Sequence, residues 1–417
     1  MRFEFFIARR LKLGNNNQKS SPSLNVALTG VILAVVVMIL SIVIVLGFKQ
    51  EITSKVFSLD SHLKVTNAVI GLDRNISTVD SREIFNPIMS QEDFKAKISS
   101  MSLIAEKPAI LKTNSDFKGI VYRGVDDGFD WTYIANHLVS GRVPKIKNTT
   151  DINEIIISKT LANQLNLKVG DKILTYFIDS KVKVRNSHIV GIYNTDFDNF
   201  DKQTIVGNIS LIQQVNGWND YTGNYVGINL FDVSNLKSDA YSLFSILARS
   251  VYESNGTTLF NVTNTHDSNI SFFAWLGMLN MNVVIILLLM VIVSGFTLIS
   301  ALLMIVLERI KLVGLLKSLG ATNGSIRNIF IYLTQKLIIK SLVIGNVLGI
   351  GISLIQKYFH IIKLNPEAYY MPYVPIEINV PALIALNLGI LVISYITLIG
   401  PSYIISSIKP TSTMKFE

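Results

Sequence analysis

Charge-free apolar stretches punctuate the chain. Ser20 to Phe48, Ser268 to Leu307 and Ile378 to Ile408 contain no Asp, Glu, Lys or Arg. Each exceeds the roughly 20 residues that a helix needs to cross a bilayer. A fourth stretch, Ser341 to Gln356, crosses only by including the turns before it, where Lys336 and Lys340 can snorkel toward headgroups. The pattern predicts four spans: 24–48, one within 270–307, 328–356 and 378–408. In the second window Trp275, Asn280 and Asn282 place the early part at the outer interface, so the span starts near Val283 and the helix continues outward as a stalk.

Residues 49–269 follow another rhythm. Glu154 to Phe177 reads as strand, short helix, a turn at Gly170-Asp171 and a second strand, and Lys181 to Tyr193 continues with strand alternation. The expected fold class is an α-helical membrane protein with four transmembrane helices and a large α/β domain inserted between helices 1 and 2. Within that domain an inner block over about 119–231 is bracketed by 50–118 and 232–269, which pair as a second, discontinuous subdomain.

Charge fixes the orientation. The 417 residues carry a formal +9, yet 49–269 holds 23 Lys+Arg against 24 Asp+Glu, leaving 15 against 5 elsewhere. The excess flanks the apolar runs: Arg2, Arg9, Arg10, Lys12 and Lys19 before the first, Arg309, Lys311, Lys317 and Arg327 after the second, Lys409 and Lys415 after the last. This is the positive-inside pattern and not a nucleic-acid footprint. The segments 1–23, 308–327 and 409–417 are cytoplasmic, and 49–269 and the short loop 357–377 lie outside. The first apolar run is too long for a cleaved signal and ends GFKQEI, so it reads as a retained anchor. The opening FEFFIARRLKL reads either as a basic amphipathic segment along the inner surface or as a plain basic flank.

Candidate chemistry removes several classes. The chain has no cysteine, and its five histidines, at 62, 137, 188, 266 and 360, show no metal-ligand spacing. GLLKSLGAT is no phosphate loop, because Ala321 stands where GxxxxGK[ST] needs its lysine. Asp196, Asp198 and Asp201 lack the glycine and glutamate of a calcium loop. No catalytic site, metal or cofactor is expected in this chain.

The segment ERIKLVGLLKSLGAT, Glu308 to Thr322, is too short and too charged to span. As a helix it carries Leu312, Val313, Leu315, Leu316 and Leu319 on one stripe, with Gly320 suited to its C-terminus and Thr322 or Asn323 to capping the next helix. Such a stripe docks in another protein's groove, or lies against its own bundle or the lipid surface.

At these residues the chain resembles the FtsX/MacB/LolC/LolE superfamily of ABC-transporter permeases. The match is carried by Glu308-Arg309, Gly314 through Thr322, Ile326-Arg327 and Ile329-Phe330. Tyr369-Tyr370, Pro375-Ile376-Glu377, Pro401-Ser402 and Lys409-Pro410 agree with its lipoprotein-releasing branch. Gly141-Arg142-Val143-Pro144, Glu154 to Ile157, Leu161-Ala162, Leu167 to Asp171, Val190 to Tyr193 and Phe200-Asp201-Lys202 resemble the LolC/LolE type within the external domain. The resemblance implies an inner-membrane protein with a periplasmic domain, whose coupling helix sits on a LolD-type ATPase that binds ATP and Mg. Glu308, Arg309, Leu312, Leu315, Leu316, Lys317, Leu319 and Gly320 are the implied coupling residues. It also implies a second permease subunit, the same or paralogous, a LolA-type periplasmic carrier, and triacylated lipoproteins drawn from the membrane lipids.

An apolar cavity open to the outer leaflet, lined by spans one and two of two subunits, is the expected lipoprotein site, with Val35, Met38, Ile39 and Ile42 on span one and Ile286, Met290, Val293 and Phe296 on span two. Each is also an ordinary lipid-facing or helix-packing residue type. One departure weighs against carrier docking. The LolC-type hook would fall between strands at Leu174–Phe177 and His188–Tyr193, where this chain has only Ile178 to Ser187, including Ile178, Asp179, Lys181 and Lys183. A LolE-type role, a homodimer, or docking elsewhere stay open. So does a different class, an FtsX-like or MacB-like mechanotransmission permease that controls periplasmic hydrolases or an efflux machine.

Overall fold

Helix α1 (Pro22–Leu59) runs unbroken for 38 residues. In this computed structural model the described residues are 4, 6–7, 22–68, 78–113, 116–146, 151–179 and 181–403. Most of the expected N-terminal amphipathic segment and the whole basic tail lie outside them. The longer helices are labelled in chain order: α2 (Ser81–Met89), α3 (Lys159–Leu165), α4 (Ile209–Asn216), α5 (Leu236–Glu253), α6 (Ile270–Glu308), α7 (Ile310–Ser318), α8 (Asn323–Phe359) and α9 (Val380–Ser402). Four of them, α1, α6, α8 and α9, are long and apolar enough to cross a membrane.

The chain divides into two compact units. One comprises residues 1–51, 274–363 and 373–417, and the other 52–273 with 364–372. The first is the helical bundle. Its centre is built from Val31, Val35, Met38, Ile39, Leu298, Leu302, Ile338, Leu342 and Leu398. A second cluster at its cytoplasmic end joins Ile305, Val306, Val313, Leu316, Ile326, Phe330 and Leu333.

Helix ends are set by local chemistry. The Thr322 hydroxyl accepts from the Ser325 amide at 3.2 Å to begin α8, and the Asn379 side chain accepts from Ala382 at 3.0 Å to begin α9. Gly320, at φ +87°, closes α7. There Ala321 N–H donates to the Leu316 carbonyl and Gly320 N–H to that of Lys317, the two bonds of a Schellman ending.

The second unit is an α/β domain. Its strands are β1 (Leu63–Asn67), β2 (Val79–Asp80), β3 (Ile98–Lys112), β4 (Phe117–Val125), β5 (Leu138–Gly141), β6 (Glu154–Ser158), β7 (Lys172–Ile178), β8 (Val182–Tyr193), β9 (Thr204–Asn208), β10 (Thr222–Gly223), β11 (Tyr225–Leu230) and β12 (Phe260–Asn264). Ten form one sheet in the order β12-β1-β11-β3-β4-β9-β6-β8-β5, with β7 pairing to both β3 and β8. The inner block and its bracketing segments therefore share a sheet, because the 15-residue β3 is long enough to pair with β11 at one end and with β4 and β7 further along. Helices α2, α3, α4 and α5 contribute Ile84, Leu161, Leu211, Leu243 and Leu247 to its main core.

Candidate functional site

The cytoplasmic helix α7 splits its leucine stripe between two surroundings. Val313 and Leu316 are buried at 0% and 7% exposure in the bundle's own cytoplasmic cluster, with Leu312 packed beside them. Leu315 and Leu319 are 54% and 75% exposed. Lys311, Ser318, Gly320 and Glu308 are also exposed, while Arg309 and Lys317 are half-buried. Of the expected coupling residues, Leu316 packs into the bundle, whereas Leu315 and Leu319 are exposed. The stripe spans about half the helix circumference, and its inner half anchors α7 so that its outer half can be presented.

The span residues expected to line one cavity are divided as well. Ile286, Val293 and Phe296 on α6 are exposed. Met290 packs against the bundle core and Ile42 is half-buried. Val35, Met38 and Ile39 on α1 face inward instead, at 1%, 1% and 0% exposure. For Val35 and Ile39 the reason is α8, where Gly345, Gly349 and Ser353 recur every fourth residue and are all buried, while Met38 lies beside Val291 and Leu298 of α6. A Cβ on Gly345 would stand 2.7 Å from Val35 Cγ1, and one on Gly349 would stand 3.1 Å from Ile39 Cδ1. Small residues at this spacing let helix backbones approach closely. The G-x-x-x-G in IGNVLG was the available signal, and a reading of single spans passes over it.

Polar contacts also join α8 to α9. Asn346 and Asn387 exchange amide bonds between α8 and α9 at 2.7 and 3.0 Å, and Gln335 donates to the Ser394 hydroxyl at 3.4 Å.

In the α/β domain, β7 and β8 pair from Lys172↔His188 through Ile178↔Val182. The connection between them is only residues 179–181. The region expected to be a ten-residue link is mostly strand, because KVKVRN continues the alternation that pairs with LTYFI. Ile178, 60% exposed, lines a shallow groove of about 510 Å³ with Pro108, Ile110 and Ile120. Asp179 is engaged by Lys107 at 3.3 Å and Lys183 by the Val215 carbonyl. Lys181 is exposed.

Two charged centres hold the same domain together. Arg123 donates to Glu106 at 2.7 Å and to the Leu59 carbonyl at 2.8 Å, and the Tyr225 hydroxyl donates to Glu106 at 3.0 Å. Burial alone would raise the Glu106 carboxyl, but Arg123, Tyr225 and Lys64 outweigh it and hold it below its usual range. Lys55, 6% exposed, donates to the carbonyls of Thr195 and Tyr370 at 2.8 and 2.9 Å. Phe197 meets the rings of Phe272 and Tyr370 at 5.8 and 5.3 Å. The loop 364–372 thereby becomes part of the α/β domain. Beside Lys55, burial pushes the Asp201 carboxyl up to about 6, against hydrogen bonds from Thr195 N–H and Oγ1. Among the described residues no three His, Asp or Glu gather as metal ligands.

Comparison with known proteins accounts for both units. The family model described as MacB-like periplasmic core domain matches residues 26–237, and that described as FtsX-like permease C-terminal matches 284–410. The chain belongs to the FtsX/MacB family of ABC-transporter permeases. It is an inner-membrane subunit with four apolar helices and a periplasmic MacB-like α/β domain. Membership implies a partner ATPase and a second permease, and subunits of this family are in general not themselves enzymes.

Among its relatives, the permease is 21% identical to the "Lipoprotein-releasing system transmembrane protein LolC" of Xylella fastidiosa (strain 9a5c), over 94% of this chain and 93% of that protein. It is 24% identical to an "Uncharacterized membrane protein" of Buchnera aphidicola subsp. Schizaphis graminum, over 99% and 98%. It is also similar to the periplasmic region of MacB from Actinobacillus actinomycetemcomitans, at 12% identity and a TM-score of 0.36, over 50% of this chain and 91% of that one.

Proposed function

We propose that this permease is the membrane subunit of a complex that releases lipoproteins from the inner membrane, for transfer to a periplasmic carrier and delivery to the outer membrane. The observation that carries this reading is the near full-length similarity to a LolC protein, which spans the bundle and the α/β domain together. In this reading the α/β domain stands between the first and second spans on the outer face. Leu315, Leu319 and Lys311 of α7 dock in a LolD-type ATPase, which binds ATP and Mg and supplies the energy. That energy is needed because acyl chains are held in the bilayer by about 0.8 kcal/mol per CH₂. The open apolar face of α6, with Ile286, Val293 and Phe296, meets the acyl chains or the second permease subunit, the same or paralogous. Val35 and Ile39 hold α1 against α8, Met38 packs beside Val291 and Leu298 of α6, and in this reading none of the three touches cargo.

A second reading is favoured by one observation. The three-residue β7–β8 connection offers no long hook for a LolA-type carrier, which suits a MacB-like or FtsX-like subunit that transmits motion to a periplasmic partner. Photo-crosslinking from position 293 or 296 separates the two. Lipoprotein adducts support release, and their absence while the ATPase complex is intact favours mechanotransmission.

A further inference from the structure

At the outer end of the bundle, two spans, α1 and α8, and the loop between α8 and α9 line a cavity of about 270 Å³. Glu51 follows the apolar run of α1, Lys357 lies in the last turn of α8, His360 ends that helix in the left-handed region at φ 47°, and Glu377 precedes α9. All four line the cavity, with Tyr373 and Gly47.

The walls are built, not incidental. Gln356, 5% exposed, donates to the carbonyls of Ile362 and Val374 and accepts from the Ile362 amide, which ties both arms of the loop to α8. The Glu377 amide donates to the Val43 carbonyl at 3.2 Å. Gly47 permits the close approach, since a Cβ there would stand 2.7 Å from the Pro375 oxygen. The rings of His360 and Tyr373 lie 3.8 Å apart.

The cavity sits at headgroup depth. Phe48, next to Gly47, meets Trp275 edge-on at 6.2 Å, and Lys49 donates to Asn280 at 3.2 Å. Aromatic and amphipathic side chains of this kind mark the membrane–water boundary. Tyr358, Phe359 and Ile361, at the end of α8, are exposed.

We propose that this cavity binds the zwitterionic headgroup of a phospholipid, a phosphate joined by a short linker to an ammonium. Lys357 takes the phosphate as a mobile point charge. Glu51 and Glu377 take the ammonium. Among the described residues neither carboxylate nor Lys357 is in an ion pair within the protein, so these charges are available to a ligand. A purely anionic headgroup would meet two carboxylates without compensation. The volume suits a headgroup and leaves the acyl chains in the bilayer. This site is independent of the lipoprotein-release reading.

The test is native mass spectrometry of the delipidated full chain with equimolar phosphatidylethanolamine and phosphatidylglycerol. The site predicts phosphatidylethanolamine adducts in about tenfold excess, as two charge-assisted contacts would give. The double variant E51Q/E377Q removes that preference, and K357Q weakens retention of both lipids. These polar side chains are exposed or half-exposed, and elution volume and helical content check that the variants fold. Soluble glycerophosphoethanolamine is run alongside. Its retention marks the headgroup as sufficient, and retention of only the intact lipid marks a membrane source; either supports the site where E51Q/E377Q abolishes it. Equal adducts of the two lipids, or a preference that survives E51Q/E377Q, overturns it.

Discussion

Gly345 on α8 lies so close to Val35 on α1 that an added Cβ would stand 2.7 Å from Val35 Cγ1. The contact makes α1 and α8 one packed pair and buries Val35 and Ile39 between them. Gly345→Leu should cost about 1–3 kcal/mol by overpacking. Gly351→Ala on the same helix, where nothing lies within 4 Å, should be neutral or mildly stabilising. Thermal unfolding of the two variants in detergent checks this, and equal midpoints would count against the packing described.

Adjacent leucines on α7 should behave oppositely. Leu315→Asp, at a half-exposed position, should leave the bundle folded and prevent co-purification of the ATPase. Leu316→Asp should destabilise the cytoplasmic end of the bundle by several kcal/mol, because it buries a charge among Val313, Ile326 and Phe330. A pull-down with a thermal scan of each variant separates lost docking from lost folding. Full ATPase retention by the Leu315 variant would contradict the docking face.

The reciprocal amides of Asn346 and Asn387 predict a non-additive pair. Asn387→Leu removes the partner of the Asn346 amide on α9 and leaves it only its bond to the Leu342 carbonyl at 2.7 Å, and the double variant N346L/N387L removes both polar groups. A double-mutant cycle should return a coupling of about 0.5–2 kcal/mol. A coupling of zero would mean that the two amides act independently.

Asp201 gives the α/β domain a pH-dependent term. Its folded carboxyl titrates near 6, above the ordinary aspartate value, so between about pH 4 and 6 the folded state holds a proton that the unfolded state releases. This contribution is favourable at low pH and is lost as pH rises through 6, to a total of up to about 3 kcal/mol. Asp201→Asn, which cannot ionise, should therefore gain stability relative to the native protein as pH rises from 4 to 7. Parallel stability profiles would show that the carboxyl is not shifted.

The spans were legible because charge-free length and flanking lysines report them directly, and the cytoplasmic helix was legible from its leucine spacing. What the periodicity could not decide is which half of a wide stripe faces the protein. Leu315 and Leu316 are chemically identical, and only the position of Phe330 and Ile326 distinguishes them. The inward turn of Val35 and Ile39 was written on another segment, in the Gly345 and Gly349 notches. Lys55 and Tyr370 are 315 residues apart, and no local pattern signals such a bond. The short β7–β8 connection was readable in part, since KVKVRN alternates, but its pairing register with LTYFI emerges only from the sheet.

The most direct measurement is to deplete the permease in its own host, separate inner and outer membranes, and follow labelled triacylated lipoproteins between them. Release predicts that these lipoproteins accumulate in the inner membrane before growth or division fails. Normal sorting, with lysis or chaining instead, would contradict release and leave mechanotransmission as the function of this chain.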